Sequence, residues 1–354
     1  MRPLVVGIDA RAAAEEPAGG GRYVRELLRA LAALPDAAGD RFVLHARERW
    51  DDPALDARFT WALDPKPDPV WNLVVGARAH RTCDVFLSTN SYLTAWVTRV
   101  PTACVVFDLI AFVRPELAQR RAGRIERATL PLAVRRAAAL PCISTATRDD
   151  LVARFPRAAA KAHVVPLAAA PPPAGMQAAR RERPYVLAVG TIEPRKNLVR
   201  LLDAWAAGGF GATHDLLLTG PAGWDDAAIL ERAREVGAQR TGHVPDAELL
   251  ALYAGCDAFA YPALYEGFGL PVVEALAAGA PVLTSTTSSL PEVAGDAALL
   301  VDPADTTAIT GGLRRLLGDE ALRARLRAAG PAQAARFSWE RTARETLSVL
   351  RAVA

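Results

Sequence analysis

Short apolar runs alternate along this chain with longer segments of helical period. In the first half "LVVGID", "RFVLHA", "CDVFLST" and "TACVVFD" read as strands. Between the first two, "GRYVRELLRALAAL" places Val24, Leu27, Leu28, Leu31 and Leu34 on one helical face. In the second half "YVLAVG", "HDLLLTG", "CDAFAYP" and "APVLTS" are strands, and "NLVRLLDAWAA" is a helix that Asn197 is placed to cap. Such alternation predicts parallel α/β layers. The stretch "PLAAAPPPAGMQAARRERP", Pro166 to Pro184, has no apolar period and reads as a linker. The chain closes on "FSWERTARETLSVLRAVA", with Ser338 as N-cap and a stripe of Trp339, Ala343, Leu347 and Leu350 that needs a partner surface. The expected organisation is two α/β domains, 1–168 and 184–336, with a terminal helix over 337–354 crossing back to the first, because its stripe needs burial. Ligands of such sheets sit beyond the carboxyl ends of the strands, here in the cleft between the halves.

Length and composition narrow the class without naming a chemistry. The 354 residues suit two domains, and 51% hydrophobic residues with both charge signs interspersed exclude a disordered chain. "MRPLVVGIDA" lacks the long apolar core of a secretory leader, and no window reads as a membrane span. Cys83, Cys104, Cys142 and Cys256 are scattered, which fits a reducing cytoplasm better than a metal or redox pair. Charge is uneven: residues 1–168 hold 24 Lys and Arg against 18 Asp and Glu, whereas residues 184–354 hold 15 against 20. A basic first half suits an anionic partner, although solvated arginine on ordinary surface accounts for it equally well.

Chemistry concentrates in "ALYEGFGLPVVEALAAGAPVLTS", Ala263 to Ser285. Glu266 lies in the loop after a strand, and Glu274 is expected in the first turn of the next helix. Pro271 fits the helix start and Gly279 its left-handed end. Gly267 and Gly269 let backbone amides approach a ligand. Two carboxylates repel phosphate, so they suit the vicinal hydroxyls of a ribose and a hexose. The plain alternative is that Glu274 complements the helix dipole and Glu266 is a loop charge. A second stretch, "GTIEPRKNL" from Gly190 to Leu198, puts Arg195 and Lys196 at a strand's carboxyl end, where two cations suit a diphosphate. Together the two stretches describe a sugar nucleotide.

These residues carry a resemblance. "GTIEPRKNLVRLLDAW", "TGHVPDAELLALYAGCDAFAYPALYEGFGLPVVEALAAGAPVLTS" and "SSLPEVAGDAALLVDPAD" resemble glycosyltransferase family 4, the retaining GT-B enzymes, over nearly all of residues 185–310. "GIDARA", "GGGRYVRELLRAL", "FDLIAFVRPE" and "ISTATRDDLV" match more loosely. The resemblance implies a GT-B architecture, two Rossmann-like parallel-sheet domains facing a central cleft. It further implies that Glu274 binds the ribose, that Glu266 lies by the donor sugar, and that Arg195 and Lys196 hold the diphosphate. By the same resemblance His243 and Val244 lie at the base, and Gly190, Thr191, Gly267, Phe268, Gly269 and Leu270 line the donor site. Gly19, Gly20 and Gly21 border the phosphates from the first domain. One departure stands out: many relatives carry His-Asp where this chain reads Phe107-Asp108. Asp108 then becomes the polar group expected on the acceptor side, with capping of the next turn as the alternative.

The implied activity is retaining transfer of a hexose from a GDP-mannose-like or UDP-sugar donor to a glycan acceptor, soluble or lipid-linked, as in polysaccharide biosynthesis. No Asp-x-Asp and no GxxxxGK[ST] occurs in the chain, so no cofactor or obligatory metal is expected, and no nucleic acid partner. A sugar-nucleotide epimerase of the same fold and a non-catalytic sugar-nucleotide-binding subunit are the competing readings. Finally, Arg114 to Leu140 holds seven arginines (114, 120, 121, 124, 127, 135, 136) against Glu116 and Glu126. They suit a peripheral contact with an anionic membrane at the inner face of the cell, or a solvated helix face.

Overall fold

In the computed structural model, which describes residues 2–16 and 19–354, strands and helices alternate as the apolar pattern requires. The chain divides into two units. One holds the residues up to Pro115, Arg120–Leu167 and Ser338–Ala354; the other holds Glu116–Gln119 and Ala168–Phe337.

The first unit runs β1 (Val5–Asp9), α1 (Arg11–Glu15), α2 (Gly20–Ala33), β2 (Arg41–Ala46), β3 (Phe59–Leu63), α3 (Val70–Thr82), β4 (Val85–Ser88), α4 (Thr94–Val97) and β5 (Thr102–Cys104). It continues with α5 (Ile110–Val113), α6 (Arg120–Arg136), β6 (Leu140–Cys142), α7 (Thr145–Arg154) and β7 (Ala162–Val164). Its five-stranded sheet has the order β3-β2-β1-β4-β5, and every pairing is parallel. The α2 stripe of Val24, Leu27, Leu28 and Leu31 is fully buried. Gly7 stands in β1 because a Cβ there would come within 2.6 Å of the Phe86 ring on β4. At the carboxyl end of β1 the buried Asp9 carboxylate accepts from Arg11 Nε at 2.9 Å and Nη2 at 2.7 Å. The same guanidinium lies 3.7 Å over the Trp71 ring and donates to Asp68. That ion pair fixes the corner from which α1 and α2 depart.

The second unit runs β8 (Tyr185–Val189), α8 (Leu198–Gly208), β9 (Asp215–Thr219), α9 (Ala227–Glu235), β10 (Gln239–Gly242), α10 (Asp246–Gly255), β11 (Ala258–Tyr261) and α11 (Leu270–Ala277). It ends with β12 (Val282–Ser285), α12 (Leu290–Ala294), β13 (Ala298–Val301), α13 (Thr306–Gly318) and α14 (Glu320–Ala334). The six strands pair in parallel in the order β10-β9-β8-β11-β12-β13. Leu201, Leu202 and Trp205 of α8 pack with Leu218, Leu283, Ile309 and Leu313 into one apolar core.

The last helix, α15 (Trp339–Val353), belongs to the first unit. Ser338 caps it by accepting from the Arg341 amide at 3.1 Å. Trp339, Ala343, Leu347 and Leu350 are all buried, and the Trp339 ring lies 6.4 Å from that of Tyr23 on α2. Thr342 donates to the Pro166 carbonyl at 2.6 Å and Arg351 to Asp40 at 2.7 Å.

Local expectations need correction at three places. The segment after Ala168, read as a linker, goes with the second unit: the Ala179 amide donates to Ala251 at 2.8 Å, and Arg183 pairs with Asp215 at 3.1 Å. Asn197 precedes α8 but does not cap it with its side chain. Its backbone is left-handed (φ 60), and its Nδ2 donates to the carbonyls of Pro262 at 2.9 Å and Pro303 at 2.7 Å. Glu274, expected in the first turn of its helix, comes after that turn, because α11 already begins at Leu270.

Candidate active site

The site grows from the carboxyl ends of β8, β9 and β11, where parallel strands leave loops and helix starts. β8 ends at Val189 and is followed by Gly190 (φ 138), whose positive-φ backbone suits glycine. The neighbouring strand is also followed by glycine, and a Cβ on Gly220 would strike the Gly190 carbonyl. Thr191 and Ile192 follow, and Pro194–Lys196 make one tight turn into α8. That turn delivers Arg195 and Lys196 side by side to the strand end.

Glu266, carried in by the loop after β11, meets both cations. Its carboxylate accepts from Lys196 Nζ at 2.6 Å and from Arg195 Nη1 at 2.9 Å. The Tyr261 hydroxyl donates to it at 2.8 Å. Arg195 in turn donates through Nε and Nη2 to Glu193, at 2.9 and 2.7 Å. The other Glu193 oxygen accepts from Trp224 Nε1 at 3.2 Å. Lys196 and Glu266 are only 9% and 7% exposed, so the loop-charge reading of Glu266 does not hold. Burial opposes the Glu266 charge, but Arg195 and then Lys196 hold its carboxyl below the usual range. Burial, reinforced by Arg195, pulls Lys196 down, and burial with the Glu266 charge pushes the Tyr261 hydroxyl well up.

The glycine loop is pinned from behind. Ser289 donates to the carbonyls of Glu266 and Phe268, both at 2.9 Å, and the Glu266 amide donates to Ser288 at 3.0 Å. Phe268 is buried edge-on against Phe337, and Gly269 (φ 101) leaves no room for a Cβ beside Leu290. Leu270 opens α11, whose fifth residue is Glu274. Glu274 is 4% exposed and accepts from the Tyr253 hydroxyl at 3.3 Å. A carboxylate buried after the first turn is not explained by the helix dipole, which acts within that turn. After β10, His243 is exposed and Val244 buried.

The remaining predicted residues lie in the first unit. Gly19 (φ 54) precedes α2, and Gly20 and Gly21 open it. Gly21 is packed so that a Cβ would collide with the carbonyls of Ala12 and Glu16. Asp108 accepts from the Ile110 amide at 2.9 Å, the turn-capping contact. Phe107 packs edge-on to Tyr23 at 5.3 Å, which gives the aromatic ring at that position an apolar partner. Glu193, Trp224, Tyr253, Tyr261, Ser288 and Ser289 were not picked out from sequence. Only Glu193 carried a signal, as an acid two residues before Arg195 in the cationic turn. Among the described residues no cluster of three or more His, Cys, Asp or Glu is arranged to hold a metal ion.

Residues 176–333 match the family model described as glycosyl transferases group 1. The O-antigen chain mannosyltransferase B of Escherichia coli is 43% identical over 170 residues, 46% of this chain and 45% of that protein. The MMP alpha-(1->4)-mannosyltransferase of Mycolicibacterium hassiacum is 33% identical over 219 residues, 58% of this chain and 52% of the relative. The chain thus spans about half the length of these curated relatives. Sucrose-phosphate synthase from Thermosynechococcus elongatus superposes with a TM-score of 0.80 at 22% identity, covering 99% of both chains. That likeness shows the fold, which is GT-B.

Proposed function

We propose, from the match of residues 176–333 to the glycosyl transferases group 1 model, that this chain is a member of that family and moves a hexosyl group from a nucleoside-diphosphate donor to a glycan acceptor. Mannose is the first candidate sugar, since both curated relatives described above are named mannosyltransferases. The observation that carries the reading is the cluster of Arg195 with the buried Lys196 and Glu266 at the strand ends, with a second buried carboxylate, Glu274, on the helix that follows the Glu266 loop. Arg195 and Lys196 take the diphosphate, Glu274 a ribose hydroxyl pair, and Glu266 the hydroxyls of the sugar. His243 and Val244 meet the base, with Gly190, Thr191 and the Gly267–Leu270 backbone lining the rest. Asp108 serves the acceptor from the first unit.

In the reaction the bond from the anomeric carbon to the diphosphate oxygen breaks and the acceptor oxygen bonds to that carbon. The acceptor proton leaves, and negative charge collects on the departing diphosphate. Fixed cations at that oxygen lower the barrier without having to reorganise. Retention of configuration and independence from metal are part of the proposal. A thermal-shift panel of GDP-mannose, UDP-hexoses and the free nucleotides tests the donor. A true donor at ~100 times its dissociation constant stabilises the fold by ~2.7 kcal/mol. A panel in which no nucleoside-diphosphate sugar shifts the melting curve counts against the reading.

The acceptor is proposed to be lipid-linked, with the protein acting at the cytoplasmic membrane face. No helix of the described residues is long and apolar enough to cross a membrane. The arginine-rich α6 exposes Ile125, while Val113 of α5 and Trp96 of α4 are exposed nearby in the chain's first unit. Arg136 lies 5.7 Å over the Trp96 ring, the kind of aromatic–cation pair that suits a headgroup layer. Each cation near an anionic surface contributes about 1 kcal/mol. Co-sedimentation with anionic but not neutral vesicles, weakened by salt and by Arg120/Arg121/Arg124→Ser, is the expected result. Protein left in the supernatant at low salt with every lipid rules the membrane contact out.

A further inference from the structure

Arg195 touches two carboxylates, and these are anchored differently. Glu193 gives one oxygen to Arg195 and the other to the Trp224 indole, a group outside the cationic turn. The loop bearing Trp224 is itself fastened to the turn: Ala222 bridges to Ile192, and a Cβ on Gly223 would strike the Ile192 carbonyl. Glu266 is fixed through its backbone, by Ser288 and Ser289. Its carboxylate, in contrast, is gripped by Arg195, Lys196 and Tyr261, the first two being the cations assigned to the diphosphate. Two cations thus face two carboxylates, and the cluster carries no spare positive charge for an anion.

Resting on the diphosphate reading of Arg195 and Lys196, we infer that Glu266 is a resident counter-ion which the donor diphosphate displaces, whereas Glu193 is the permanent positioning partner of Arg195. On donor binding the Glu266 carboxylate leaves Lys196 and turns to the sugar hydroxyls, while Glu193 and Trp224 keep the guanidinium aimed. The device makes the site selective for a whole donor. A bare diphosphate must displace Glu266 without offering it hydroxyls, whereas a sugar diphosphate supplies them. Like charges brought together in a buried site cost several kcal/mol, so removing the Glu266 charge has a large effect on anion affinity.

The test is calorimetric titration of inorganic pyrophosphate into the full chain, as wild type, Glu266→Gln, Glu193→Gln and Arg195→Ala. Glu266→Gln is expected to bind pyrophosphate about tenfold or more tighter than wild type. Glu193→Gln removes the same charge but leaves Arg195 unaimed and sets an amide N–H against Trp224 or Arg195, so no such tightening is expected. Equal affinity in wild type and Glu266→Gln overturns the counter-ion role. Equal tightening in both glutamine variants overturns the positioning role of Glu193, leaving a net-charge effect alone. If pyrophosphate binds none of the four proteins, or binds Arg195→Ala as well as wild type, the diphosphate assignment itself falls. A crystal structure of the wild type with pyrophosphate gives a readout independent of variant folding. Glu266 should then lie beyond 4 Å from Lys196, and Glu266 still paired with Lys196 beside the bound anion contradicts the inference.

Discussion

The Tyr253 hydroxyl on α10 donates to the Glu274 carboxylate on α11 at 3.3 Å, joining two helices at the buried edge of the site. The contact orients a carboxylate that burial would otherwise penalise. Glu274→Ala should therefore weaken nucleoside diphosphate and intact donor alike, since the ribose is common to both. A hydrogen bond to a charged group is worth ~1.5–3 kcal/mol, which is roughly tenfold to a hundredfold in affinity. Tyr253→Phe should give a smaller loss of the same kind. Unchanged nucleotide affinity in Glu274→Ala removes the ribose assignment.

Arg195→Ala should lower turnover by about 10²–10³, as loss of a fixed charge stabiliser at the reacting centre does. Glu266→Ala should depress kcat without weakening nucleoside-diphosphate binding, because its partner in the donor complex is the transferred sugar and its charge no longer competes for Arg195 and Lys196. Steady-state kinetics beside equilibrium nucleotide binding separates the two effects. An Arg195→Ala enzyme with a normal rate is incompatible with the cradle.

A stability prediction concerns the first unit. Arg11→Met keeps most of the volume over Trp71 but leaves the fully buried Asp9 carboxylate without its bidentate partner. Breaking one side of a buried ion pair costs about 3–5 kcal/mol. Denaturant titration should show that loss, and a midpoint within error of wild type means Asp9 finds another partner.

Stability should also depend on pH through His45. This residue is wholly buried in β2, neither ring nitrogen has a hydrogen-bond partner, and burial with the nearby Arg78 charge lowers its pKa to about 4. The unfolded chain binds that proton near the ordinary value of 6.5. Between those values the unfolded state holds more protons, so stability is full above 6.5 and falls as pH drops toward 4. His45→Leu should flatten the melting-temperature profile in that window. Parallel profiles for the two proteins refute the attribution.

The legibility of this molecule from sequence has a physical pattern. Strands buried on both faces, such as "VVGID" and "YVLAV", announce themselves as apolar runs. β10 was not read because "QRTG" is a mostly exposed edge strand with no apolar face, and β3 is likewise an edge. Arg195, Lys196 and Glu266 were readable because residue type and a glycine-rich loop mark them locally. Tyr261 and Trp224 were not, since their roles come from contacts with Lys196 and Glu193 that bridge 65 and 31 positions of chain. The misplaced turn of Glu274 has a similar origin: Gly269, in a left-handed conformation, starts α11 early enough to bury the acid beyond the dipole's reach.

The most direct measurement is the release of nucleoside diphosphate and appearance of glycosylated product from GDP-mannose and UDP-hexoses, with oligosaccharide and lipid-linked acceptors and a metal chelator present. The account predicts that at least one donor is consumed in step with product, that chelation leaves the rate unchanged, and that Lys196→Ala slows it by about 10²–10³. Donor consumption that stops on chelation, turnover as fast in Lys196→Ala as in wild type, or no consumption of any donor on the panel contradicts it.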